Sequence, residues 1–164
     1  MMLLPATALP GTTLPGTPRP TPETDFLRLT YRADLHVVVG RWQRAVTETE
    51  LRQGYEAILR VAQEAGCPFW QLDVRGHDVP GEAALQWLIQ AFLPHVAAQM
   101  GHGVCLAYLH SPQQRRAEEP APAGPIYLAF FSEEGPLTTW LAQCQHRSQL
   151  AQRSVGLTPP PLAA

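Results

Sequence analysis

The stretch Cys67–Gly81, which reads CPFWQLDVRGHDVPG, places the tightest constraint on how this chain folds. Phe69 to Val74 is a short, nearly continuous apolar run of aromatic, aliphatic and β-branched residues. Such a run suits a strand covered on both faces, the kind found inside parallel sheets. It breaks into Arg75-Gly76-His77-Asp78, and Pro80-Gly81 then opens a helical pattern. In open α/β sheets, sites gather where strands of this kind end.

The elements around it can be read in order. Phe26 to Tyr31 and Leu35 to Gly40 are strand-like and flank a tight Arg32-Ala33-Asp34 turn, a hairpin signature. Thr47-Glu48-Thr49-Glu50 fits a capping box. The apolar stripe Leu51, Tyr55, Ile58, Leu59 and Ala62 predicts a helix that ends at Gly66. A strand, a helix and a strand at this spacing imply a right-handed crossover and a parallel pair. A second helix carries Leu85, Leu88, Ile89, Phe92, Leu93 and Val96, with Pro94 inside the pattern, which predicts a kink or break near Phe92. Gly103 to His110 and Pro125 to Phe131 are the fourth and fifth strands, separated by a Pro-rich loop. A last helix carries Leu137, Trp140, Leu141 and Cys144.

The sequence therefore predicts one α/β domain over residues 25–153, with a single mixed sheet of about five strands in the order β-β-α-β-α-β-β-α. Residues 1–24 hold six of the seventeen prolines, interleaved with Thr and Gly, and are expected to form a disordered arm. The Pro-rich segment 154–164 is expected to be a disordered tail.

Composition excludes several function classes. The chain has no Lys among its twelve basic residues, so Schiff-base chemistry and the phosphate-loop Lys are absent, and no cofactor is expected. A net charge of −2 gives no field that draws nucleic acid. No apolar run approaches the ~20 residues of a membrane span. Three widely spaced cysteines, Cys67, Cys105 and Cys144, fit free thiols in a reducing cytoplasm better than a disulfide framework. Six histidines show no metal-ligand spacing, so no metal site is expected.

Two groups of residues are candidates for a site. Asp73, Arg75, His77 and Asp78 share the end of the central strand. Arg75 with the following helix N-terminus suits an anion or polar ligand, and His77 suits acid–base work near neutral pH. Asp73, a carboxylate near the end of an apolar strand, needs a partner. That partner is a ligand, an ion pair with Arg75, Arg41 or Arg44, or the backbone of a turn that it caps. Arg41 and Trp42, leaving the second strand, are residue types enriched at binding hot spots.

The aromatic-Gln-Leu-Asp-Val-Arg strand at Trp70–Arg75 and the Phe-Phe-Ser-Glu-Glu…Trp-Leu segment at Phe130–Leu141 resemble the SpoIIAA-like domains. These are grouped with STAS (sulfate transporter and anti-sigma factor antagonist) and CRAL-TRIO domains. The resemblance covers Asp25 to about Ala142. It implies a non-enzymatic cytoplasmic binding or regulatory module that docks a protein partner or a small apolar or amphipathic ligand. In anti-sigma factor antagonists a phosphorylatable Ser or Thr follows the central strand. Here Arg75–Gly81 contains no hydroxyl residue, so kinase-dependent switching through this loop is not expected. Two rival readings stand beside this one. The first is a small hydrolase or lyase using His77 with Asp73 or Asp78. The second is a homodimer joined through an edge strand such as Phe26–Tyr31.

Overall fold

The computed structural model describes residues 24–114 and 124–155. The expected arm up to residue 23, the loop stretch 115–123 and the tail beyond Val155 lie outside the described residues.

The hairpin closes a little later than its sequence suggests. β1 (Leu27–Arg32) pairs antiparallel with β2 (Val37–Trp42), Leu27 opposite Trp42 and Arg32 opposite Val37. This register carries Arg41 and Trp42 into the strand, whereas the sequence places them just beyond it. Alternation along a strand then sends their side chains to opposite faces of the sheet. Everything at the site follows from that division.

α1 (Glu48–Ala65) begins with the capping box: Thr47 accepts from the Glu50 N–H, and the Glu50 carboxylate accepts from the Thr47 N–H. Gly66 ends it at φ 57°, a left-handed turn that glycine adopts without penalty. β3 (Phe69–Asp73) pairs parallel with β2 and with β4 (Val104–Leu109), and β5 (Ile126–Phe131) pairs parallel with β4. The spatial order β1-β2-β3-β4-β5 puts β3 in the middle, and β4 is buried along its whole length. This is an α/β fold with one mixed five-stranded sheet.

Between β3 and β4 the helix is interrupted. α2 (Glu82–Trp87) passes through a π turn at Leu88–Phe92 into α3 (Leu93–Met100). The cause is Pro94, which has no N–H to donate and whose ring would strike the carbonyl four residues back. The turn before it is widened, the Leu93 N–H donating to the Leu88 carbonyl five residues back, and the helix continues through Pro94 without breaking.

α1, α2 and α3 share one face of the sheet, and α4 (Glu134–Val155) covers β3, β4 and β5 on the other. On the first face Val38, Ile58, Leu72, Leu106 and Val96 are fully buried. On the second, Leu137, Leu141 and Cys144 pack down on the sheet beside Cys105. α4 reaches Val155, two residues past the expected domain end.

Candidate functional site at the end of the central strands

The ends of β2 and β3 carry two separate clusters, one on each face. On the α4 face Asp73 is 3% exposed, a depth at which an unpaired carboxylate is costly. It is fully engaged. Arg75 holds it with a two-pronged fork, Nε to Oδ1 at 2.9 Å and Nη2 to Oδ2 at 2.7 Å. The Arg75 backbone N–H donates to Oδ1 at 3.2 Å, and Arg41 Nε donates to Oδ2 at 3.1 Å. Arg75 Nη2 also reaches Glu134 Oε1 at 3.3 Å, tying the strand end to the start of α4. Burial pushes the Asp73 carboxyl up, but the hydrogen bonds from Arg75 and the charges of Arg75 and Arg41 pull harder, and its pKa lies below the ordinary carboxylate value. Arg44, the third partner the sequence offers, turns instead to Asp25 and Glu50.

On the helical face Trp42 is 1% exposed and His77 6%, and their rings meet edge to face with centroids 5.3 Å apart. The loop reaches this position because of two residues absent from the candidate set. Gly76 passes so close to the end of β2 that a Cβ there would lie 2.0 Å from the Trp42 carbonyl oxygen. Gln114, beyond β4, donates from Nε2 to the carbonyl oxygens of Val74 at 2.9 Å and His77 at 2.5 Å. His77 Nδ1 bonds the Asp78 carbonyl oxygen, so Nδ1 carries the proton and Nε2 is left as an acceptor. Among the described residues neither His77 Nε2 nor the Trp42 indole N–H has a hydrogen-bond partner. Burial holds the His77 pKa below its usual value, against the opposing pull of the Asp78 carbonyl and charge.

Aromatic packing extends from Trp42 under the helices. Tyr55 of α1 contacts Trp42, Trp87 and Phe92, with centroids 5.6, 6.3 and 5.1 Å away. Its hydroxyl donates to the Tyr108 hydroxyl at 3.3 Å, and burial pushes the Tyr55 pKa up to about 12.

The structure thus sorts the six candidates into two groups. Arg41, Asp73 and Arg75 come together on one face. Trp42 and His77 come together on the other, with Asp78 reaching His77 through its backbone carbonyl and its charge. Among the described residues His77 makes no hydrogen bond to a carboxylate. Among the described residues, no three His, Cys, Asp or Glu side chains gather as a metal site, and no helix is long and apolar enough to cross a membrane.

Sequence reasoning missed Gln114, Gly76 and Glu134. Glu134 left a signal, since an acidic residue at a helix start suits the dipole there. Gln114 left none. Compared with protein-family models, curated proteins and solved structures, the chain matches none.

Proposed function

We propose that this chain is a non-enzymatic binding or regulatory module of the SpoIIAA/STAS-like type that docks a protein partner. The observation that carries this reading is the separation at the strand end. Asp73 is bound by two arginines on one face, while His77 packs on Trp42 on the other with its Nδ1 on a backbone carbonyl. A hydrolase or lyase working through His77 and a neighbouring carboxylate needs those groups within hydrogen-bond reach, and here each serves the fold. The single mixed five-stranded α/β sheet supports the SpoIIAA-like reading, and the loop lacks the hydroxyl of the phospho-switch members.

Small-ligand binding is a second reading, favoured by the two buried ring nitrogens without partners among the described residues, one donor and one acceptor. An amphipathic ligand that opens the Arg75–Gly81 loop would satisfy both.

The test is in-cell photo-crosslinking from a benzoylphenylalanine at Glu133, beside the Arg75–Glu134 contact, with one at Gln149 as control. A discrete protein adduct from the first position and none from the second is the expected result. Turnover of ester, amide or carbon–oxygen lyase substrates that disappears with His77→Ala would overturn the proposal.

A further inference from the structure

We infer that the free edge of β1 receives an extended acidic segment of a protein partner, which joins the sheet as an added strand. This inference rests on the partner-docking reading above and names its surface. Among the described residues β1 is an edge strand. The Gln43 N–H donates to the Phe26 carbonyl, so by antiparallel alternation Phe26, Arg28, Thr30 and Arg32 turn their backbone groups toward β2, and Leu27, Leu29 and Tyr31 turn theirs outward. At Leu27 the outward groups are satisfied locally, since the Thr24 hydroxyl both accepts from its N–H and donates to its carbonyl. The outward N–H and C=O groups of Leu29 and Tyr31 have no partner among the described residues. This is a short open template for a strand.

The side chains say what kind of strand fits. On the helical face Leu27 and Leu29 are buried and Tyr31 is half-buried, which calls for apolar residues at alternate positions of the newcomer. On the other face Arg28, Thr30 and Arg32 are exposed. Arg28 stands directly opposite Arg41 in the β1–β2 register, a like-charge pair that costs stability. Arg41 is compensated by Asp73 and Arg32 by Asp34, while Arg28 has no ion pair among the described residues. A carboxylate beside Arg28 relieves that repulsion.

The same row excludes the obvious alternatives. A second copy pairing through β1 offers Arg28 no carboxylate, since Leu27–Arg32 contains no Asp or Glu, and it sets Arg28 against Arg32 in the register centred on Thr30. The chain's own first 22 residues contain no Asp or Glu and six prolines, which have no N–H to give a ladder. Nucleic acid is disfavoured by Asp73, Asp34 and Glu134 interleaved among the arginines and by the net charge of −2.

The full chain is titrated into a short fluorescein-labelled peptide alternating Glu and Val, followed by polarisation, with a Lys/Val peptide of equal length as control. Only the Glu/Val peptide is expected to bind. Its affinity should fall about tenfold with Arg28→Glu, the equivalent of ~1.4 kcal/mol, and fall with added salt. Methylating alternate backbone nitrogens of the peptide should abolish binding with the protein unaltered, and hydrogen exchange at Leu29 and Tyr31 should slow on binding while Leu27 stays the same. Equal binding of the two peptides, indifference to Arg28→Glu, or protection of Leu29 and Tyr31 before any peptide is added would each overturn the inference. A partner adduct from position 133 without peptide binding would leave the docking reading standing and remove the β1 edge from it.

Discussion

The two faces of the sheet at the ends of β2 and β3 put the same few residues to opposite uses. On the α4 face Asp73, Arg41, Arg75 and Glu134 exhaust one another, and each charge has at least one partner. On the helical face Trp42 and His77 lie deep in the packing, and among the described residues each keeps one ring nitrogen without a hydrogen bond. The charged residues that draw the eye in the sequence are thus the saturated ones, and the unmet bonding capacity sits in two aromatic rings. Arg75–Gly81 joins the faces: its first residue clamps Asp73 and its third packs on Trp42.

Breaking that joint should have the largest effect. Gly76→Ala would set a Cβ 2.0 Å from the Trp42 carbonyl oxygen, a backbone atom that cannot swing away. The expected loss is about 3 kcal/mol, read by urea denaturation. A loss under ~1 kcal/mol would mean that the loop does not hold the two faces together.

Asp73→Asn addresses the saturated face alone. Removing one partner of a buried pair typically costs about 3–5 kcal/mol. Arg41 and Arg75 are about half exposed, so water takes over part of their hydration, and a loss of about 2 kcal/mol is expected from the same denaturation curves. A neutral outcome would reduce the network to surface decoration.

Acidity separates the faces without crossing any residue between them. His77 is held below 6.5 by burial, so below that pH the unfolded chain binds a proton that the folded chain refuses. Stability contributed by its neutral form is present above 6.5 and is lost as pH falls toward the folded value. Asp73 is held below 3.8, so its contribution is present above 3.8 and is lost only as pH falls further. Thermal melts between neutral pH and about pH 5 should therefore report the helical face, and His77→Gln should flatten that part of the profile while leaving the more acidic part intact. An unchanged slope in His77→Gln would show that the ring is not buried in solution.

The smallest effect belongs to Arg41→Gln. Its side chain is 47% exposed and supplies one of several bonds to Asp73, which Arg75 continues to hold. A loss under about 1 kcal/mol is expected. A larger one would make Arg41, and not the Arg75 fork, the anchor of the saturated face.

What the sequence reveals is what depends on near neighbours. The Thr47–Glu50 box, the Gly66 stop and the disturbance at Pro94 each follow from residues a few positions apart, and all are present. Five strands are visible because apolar runs with aromatic and β-branched residues have few other uses at that length. The Asp73 pairing is half legible: an ion pair is expected, but choosing Arg75 and Arg41 over Arg44 depends on which face each side chain meets, and so on hairpin register. The Trp42–His77 contact is not legible. It joins residues 35 positions apart and depends on the path that Gly76 permits and Gln114 fixes. Gln114 comes from a stretch whose composition says only that it is a loop.

The π turn bears on how this chain can change over time. In a regular helix, residues five apart point about 140° away from each other, yet Trp87 and Phe92 both lie against Tyr55. The turn absorbs one residue more than regular winding would, and that surplus sets the frame of everything before it. Deleting a single residue between Leu88 and Phe92 would turn α2 by about 100°, taking Trp87 off Tyr55 and rotating Ala84 out of the core. Insertions and deletions among descendants of this sequence should therefore spare these five residues.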